Sequence, residues 1–155
     1  MYYKILIFVL IKHKLILSKK EGNEINYVIL FDGVCNFCNS SVNFIIDNDK
    51  SNLFKFASLQ SSYGQDALSK FNLPTDSFST LILVDGNTFY TRSGAALRIS
   101  KHLRFPHNLY YAFIIVPPFI RNFFYDIVAR NRYKWFGKKD ACRIPTSEEQ
   151  NKFIG

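Results

Sequence analysis

Short apolar runs separated by polar turns indicate four strands in this chain. Tyr27–Phe31 is almost entirely apolar, which is typical of a strand buried on both faces of a sheet. Leu53–Ala57 predicts a second strand. Two further runs, Leu81–Val84 and Thr88–Tyr90, flank the turn sequence Asp85-Gly86-Asn87, so we expect these two strands to form a hairpin.

Apolar residues at helical spacing predict helices between and after these strands. The first helix carries a stripe made of Cys38, Val42, Ile45 and Ile46. We therefore expect Cys38 to point into the core and Cys35, at the first turn, to stay accessible. A second helix is predicted over Ser61–Phe71, and a third starts at Ser93 as N-cap and runs to about His102.

Pro117 or Pro118 can open a last helix, which the pattern carries to about Arg132. The wide apolar face of this helix consists of Phe119, Ile120, Phe123, Phe124, Ile127 and Val128. We interpret this face as core packing, with a membrane-facing or partner-facing patch as the alternative.

The predicted order, β-α-β-α-β-β-α, is that of a thioredoxin-like α/β fold: a central mixed β-sheet flanked by helices, here with a helical C-terminal extension. A length of 155 residues favours one domain. We assign residues 26–155 to that domain and residues 1–25 to an N-terminal extension outside its core.

Two cysteines separated by two residues follow the first strand in the sequence Asp32-Gly33-Val34-Cys35-Asn36-Phe37-Cys38-Asn39. Cys35 would sit at a helix N-terminus, where unpaired N–H groups and the helix dipole favour a thiolate by about 0.3–2 kcal/mol. Cys38, three residues on, is close enough to attack Cys35 after it has reacted. This context favours thiol–disulfide exchange in which Cys35 attacks and Cys38 resolves.

Two other interpretations of the cysteine pair stay open. Cys-x-x-Cys also binds zinc, but His13, His102, His107 and Cys142 form no second close pair with cysteine. Two buried, inert cysteines are the other alternative.

Two charged residues near the motif are further candidates. Asp32 is either a proton acceptor that modulates the thiol pKa values or a turn residue that caps backbone N–H groups. A carboxylate raises a neighbouring thiol pKa, so Asp32 cannot be the group that activates Cys35. Arg92 is either a cation that favours the thiolate or a solvated loop residue.

The motif residues, Phe31 to Asn39, resemble the signature of the DCC family of predicted thiol–disulfide oxidoreductases, which is named for its Asp and two Cys. On this match the Asp is Asp32 and the cysteines are Cys35 and Cys38. Similar stretches are Phe56–Gln60, Arg92–Ala96 and Asn131–Gly137 with Cys142 following. The resemblance covers residues 26 to the C-terminus and implies a thioredoxin-like fold and disulfide reductase activity. The cis-proline usual in thioredoxin-like proteins is missing at Ser79-Thr80, which weakens the expectation of peptide-like docking.

Composition limits the partners and the compartment. The net charge of +8 is spread along the chain without a nucleic-acid-binding motif, so we expect a solvated basic surface and no nucleic-acid partner. Three cysteines, an odd number, favour a reducing, cytoplasmic compartment. The expected partners are a disulfide-containing protein or small-thiol substrate and an external dithiol donor; no bound cofactor is required.

The N-terminal run Ile5–Ile11 imitates a signal peptide, but Lys12-His13-Lys14 interrupts it and no small-residue cleavage site follows. The run is too short to span a bilayer. We interpret it as a non-core extension, with a membrane tether as the less favoured alternative.

We predict that Cys142 is dispensable for turnover, because its sequence neighbourhood contains no second cysteine and no helix start. A Cys142→Ser variant should retain its rate in insulin reduction with dithiothreitol. A ten-fold loss would instead show that this third sulfur, whose pKa the basic neighbours Lys138 and Lys139 could lower, is part of the mechanism.

Overall fold

A four-stranded mixed sheet forms the centre of the protein. The computed structural model describes residues 27–75, 80–138, 146–147 and 149–154. The strands are β1 (Tyr27–Phe31), β2 (Phe54–Ser58), β3 (Ile82–Asp85) and β4 (Thr88–Thr91). The α-helices are α1 (Asn36–Asn48), α2 (Ser62–Lys70), α3 (Arg92–Lys101) and α4 (Pro118–Phe136), with 3-10 helices at His107–Ile115 and Gln150–Lys152.

The sheet order is β2-β1-β3-β4, so β1 is an interior strand. It pairs parallel to β2 and antiparallel to β3, and β3 pairs antiparallel to β4. The parallel pair is connected through α1, as a crossover connection requires. This arrangement is consistent with the predicted thioredoxin-like α/β fold.

Alternate residues of β1 feed two separate hydrophobic cores on the two faces of the sheet. Ile29 and Phe31 belong to the core formed with α1 and α3. Val28 and Leu30 belong to the core formed with α2. The prediction that this strand is buried on both faces is confirmed.

Most predicted elements are found within one or two residues of their expected bounds. Ser61 caps α2 by accepting a hydrogen bond from the Gly64 N–H at 3.1 Å. The hairpin turns at Gly86, whose positive φ of 60° is a conformation that glycine adopts at little cost. The predicted α1 stripe is also confirmed, because Val42 and Ile45 are buried and Cys38 packs against the same core.

The predicted N-cap of α3 is wrong. The helix begins at Arg92, and its N-cap is Thr91. Ser93 lies inside the first turn, where its hydroxyl donates a hydrogen bond to Asn122 Oδ1 of α4. A tertiary contact thus takes the hydroxyl that was expected to cap the helix.

Helix α4 is longer than predicted, and its apolar face is not core. Pro118 occupies the first helical turn as expected, but the helix continues past Arg132 to Phe136. Phe119 is 75% exposed, and Phe123 and Phe124 are each 63% exposed. The core-packing interpretation is therefore wrong for these residues. No helix in the described ranges is long and apolar enough to cross a bilayer.

Three subjects of the sequence analysis lie outside the described residues. They are the N-terminal extension of residues 1–25, Ser79 and Cys142.

We predict that Gly64→Ala destabilises the fold by about 2 kcal/mol, the range expected for overpacking a core. A Cβ atom at Gly64 would lie 2.2 Å from the backbone oxygen of Ser58, so α2 would have to shift away from β2. The matched control is Gly94→Ala in α3, where the nearest atom is the end of the Arg98 side chain at 3.5 Å. Urea unfolding should show a loss for Gly64→Ala only; equal free energies of unfolding would contradict the prediction.

Candidate active site

The two cysteines lie where β1 turns into α1, as predicted. Cys35 is the N-cap of α1, with extended backbone angles (φ −86°, ψ 119°). Its Sγ accepts a hydrogen bond from the Cys38 N–H at 3.2 Å, in the manner of a capping side chain. The first turn of the helix therefore stabilises negative charge on the Cys35 sulfur.

The expected accessibility of the two sulfurs is wrong. Cys35 has no exposed surface, whereas Cys38 is partly exposed. Cys38 packs against the core, as its position in the apolar stripe predicts, whereas the stripe carries no information on what covers Cys35.

The last residue of α4 and the two residues after it lie against the motif and contribute to the burial of Cys35. Lys138 forms an isolated antiparallel backbone bridge with Cys35. Asn36 Nδ2 donates a hydrogen bond to the Phe136 carbonyl at 3.0 Å, and the Phe37 and Phe136 rings stack with centroids 4.9 Å apart. We refer to Phe136–Lys138 as the strap.

Asp32, at the end of β1, is buried and accepts hydrogen bonds on both carboxylate oxygens. Oδ1 accepts from the Val34 N–H at 3.2 Å and from Gln60 Nε2 at 3.0 Å. Oδ2 accepts from Arg132 Nη2 at 2.6 Å and from the Tyr133 hydroxyl. Asp32 thus acts as a turn-capping residue, as one alternative expected, and as half of a buried ion pair.

Arg132 connects this carboxylate to the cysteine pair. Its side chain and that of Asp32 are each 4% exposed. Its Nη1 also lies 3.6 Å from Cys38 Sγ, within donor distance of sulfur. The guanidinium therefore offsets the effect that the Asp32 charge would otherwise have on the thiols.

The two sulfurs differ in their electrostatic environment. Burial, followed by a hydrogen bond with Cys35, raises the pKa of Cys38 well above that of a free thiol, and the Arg132 charge only partly opposes this. Tyr133 also has a raised pKa, about 12, because of burial and its hydrogen bond to Asp32. Both groups therefore keep their protons at neutral pH.

An apolar cavity of about 650 Å³ lies beside the cysteine pair, and Cys38, Asp32 and Arg132 lie on its wall. Cys35 does not line it. Within the residues that the structure describes, no group of three His, Cys, Asp or Glu side chains could hold a metal ion.

Arg92 does not act on the motif. It forms an exposed ion pair with Asp126 of α4 at 3.4 Å. The polar partners of Asp32, by contrast, received no role from sequence reasoning, although Gln60, Arg132 and Tyr133 all belong to the stretches that carry the family resemblance.

Comparison with known proteins tests that resemblance. The sequence model of the DCC1-like thiol-disulfide oxidoreductase family matches residues 29–138. The chain belongs to this family. It is 46% identical over 129 residues to the uncharacterized protein YuxK of Bacillus subtilis, covering 83% of this chain and 94% of YuxK.

A second member of the DCC family, the chloroplastic protein At1g52590 of Arabidopsis thaliana, is 38% identical over 118 residues. The match covers 76% of this chain and 69% of the plant protein. No solved structure is significantly similar. Membership supports a redox role for the cysteine pair of this DCC protein.

We predict that Arg132→Gln destabilises the protein by about 3–5 kcal/mol, because it leaves the buried Asp32 carboxylate without its counter-charge. Adding Asp32→Asn should recover part of that loss, since the double variant has no unpaired buried charge. Tyr133→Phe, which removes one hydrogen bond, should cost about 1 kcal/mol. Urea unfolding of the wild type, Arg132→Gln, Asp32→Asn and the double variant measures the coupling between the two charges, and additive losses would show that the pair is not energetically linked.

Proposed function

We propose that this protein catalyses thiol–disulfide exchange with the Cys35–Cys38 pair. The observation that carries the proposal is the N-cap position of Cys35: its sulfur accepts a helix N–H bond while Cys38 beside it stays protonated. A thiolate and a neighbouring thiol are the two forms that a dithiol needs to react in sequence.

In the first step the Cys35 thiolate attacks one sulfur of a substrate disulfide, R–S–S–R′. The substrate S–S bond breaks, a Cys35–S–S–R bond forms, and R′S⁻ leaves. Cys38 then attacks the Cys35 sulfur, RS⁻ leaves, and the Cys38 proton is passed to the departing thiolate. The protein loses two electrons and the single Cys38 proton; R′S⁻ takes its proton from water, so the substrate becomes two thiols.

Attack by Cys35 requires a movement, because this sulfur has no exposed surface. Either the strap lifts from the motif or the Cys38 side chain rotates away from it. Neither needs the sheet or the buried ion pair to rearrange.

Asp32 acts in this proposal as a positioning residue. Its two oxygens already accept four hydrogen bonds, which leaves little capacity to take the Cys38 proton. Its role is to fix Arg132 beside Cys38.

The alternative is a non-catalytic module whose cysteine pair senses redox state or binds metal. The position of Arg132 argues against a metal, since a guanidinium 3.6 Å from Cys38 Sγ repels a divalent cation. Stoichiometric zinc in reduced protein would favour this alternative. A reducing cytoplasmic setting and an external dithiol donor complete the proposal.

We predict that Cys38→Ser traps substrates as mixed disulfides, because the sulfur that releases them is gone. Only an external thiol, at a low effective concentration, can then release the adduct. The adduct should therefore survive non-reducing electrophoresis, and mass spectrometry should locate it on Cys35. The matched variant Cys35→Ser should form no stable adduct. Both are made with Cys142→Ser so that no third thiol contributes.

Capture by Cys35→Ser alone would show that Cys38, the more exposed sulfur, attacks first. Capture by neither variant would contradict the exchange mechanism itself.

A further inference from the structure

We infer that the substrate is a small apolar disulfide, bound in the cavity that ends on Cys38. This inference rests on the proposed exchange function and names the substrate class of that site. It concerns the groups attached to the disulfide, and it holds for attack by either sulfur.

The size and walls of the cavity define the ligand. A volume of about 650 Å³ lies within the usual range for small-molecule sites. Most of its walls come from α1, α4 and the region of α3, and the apolar side chains on them include Phe37, Phe44, Ile99, Leu103, Phe124 and Val128. Such a surface gains free energy by covering apolar groups, at about 25 cal/mol per Å² removed from water.

The serine hydroxyls on these walls already donate hydrogen bonds inside the protein. Ser40 and Ser41 donate to the carbonyls of Asn36 and Phe37 in their own helix. Ser100 likewise donates to the Leu97 carbonyl at 2.8 Å. A polar substrate would lose its hydrating water here without gaining equivalent partners from these side chains.

Charged substrates are disfavoured for a related reason. The cation on the cavity wall, Arg132, is paired with Asp32 at 2.6 Å, so the two side chains present no net charge to a ligand. A carboxylate-bearing disulfide such as glutathione disulfide would find no unbalanced positive charge at this end of the cavity.

The backbone just before β3 does not offer a peptide its usual hydrogen-bonding partners. The Tyr125 hydroxyl accepts a hydrogen bond from the Leu81 N–H and another from Thr80 Oγ1, both at 3.0 Å. Thr80 belongs to the position where the sequence lacks a cis-proline. An extended substrate backbone would have to displace Tyr125 to pair there.

The route by which a substrate can reach the cysteine pair also favours a small apolar disulfide. Cys35 has no exposed surface beneath the strap, and Cys38 opens on the cavity. A disulfide that reaches the pair by this route must fit its attached groups against the apolar walls.

The test uses two disulfides with the same aromatic core: 2,2′-dithiodipyridine, which is neutral, and 6,6′-dithiodinicotinic acid, which adds two carboxylates. Reduced protein with Cys142→Ser is mixed with each probe, and each rate is divided by that of free dithiothreitol. We expect the normalised rate for the neutral probe to be at least ten-fold higher. Mass spectrometry confirms that the product is the Cys35–Cys38 disulfide.

Two cavity-filling variants, Ala129→Phe in α4 and Ser41→Phe in α1, should each slow the neutral probe at least ten-fold and change the charged probe little. Both residues line the cavity. The matched control is Ala112→Phe, because Ala112 is exposed in the 3-10 helix and does not line the cavity. Urea unfolding identifies any variant that is not folded, and the second variant then carries the test.

Equal normalised rates for the two probes, or equal slowing by Ala112→Phe, would overturn the inference while leaving exchange intact. Insulin reduction faster than reaction with the neutral probe and insensitive to Ala129→Phe would point to a protein substrate and would also overturn it. Failure of both probes to oxidise the pair would instead contradict the proposed function.

Discussion

The buried ion pair between Asp32 and Arg132 is the interaction on which the site depends. Asp32 directly follows β1, and Arg132 lies near the end of α4, a hundred residues later in the chain. Taking both charges out of water costs several kcal/mol, and the cost is offset only by close pairing and further hydrogen bonds. Gln60 and Tyr133 supply those bonds to the carboxylate. The pair therefore fixes α4 against the cysteine motif in one register.

That register has two consequences for the sulfurs. It places a guanidinium beside Cys38, and it carries the end of α4 across Cys35, where the strap pairs with the motif backbone. The two sulfurs therefore have different surroundings. The N-cap position favours negative charge on Cys35, while Cys38 faces the cavity. In the proposed exchange, a sulfur without exposed surface is shielded from oxidants in solution and is reached only when a substrate enters or opens the site.

Local sequence patterns were sufficient for the sheet and for the redox motif. β1 and the hairpin could be predicted because burial on both faces and turn chemistry are encoded in neighbouring residues. The burial of Cys35 could not, because the strap that contributes to it comes from residues 136–138 and no local period records that contact. The N-cap prediction for Ser93 was wrong for the same reason, because its hydroxyl donates a hydrogen bond to Asn122 of α4. The roles of Arg132 and Gln60 likewise depend on their contacts with Asp32, which is too far away in the sequence for a local pattern to show them.

The apolar face of α4 was predicted to be core and is exposed instead. Its position next to the cavity suggests a reason for this exposure. Phe124 belongs to both: it lines the cavity and is 63% exposed. The apolar surface of α4 is therefore continuous with the cavity mouth. Large exposed apolar patches are costly in water and usually mark binding sites. An apolar ligand that enters across this face would cover part of it. The apolar residues of α4 that do not pack into the core would then contribute to binding.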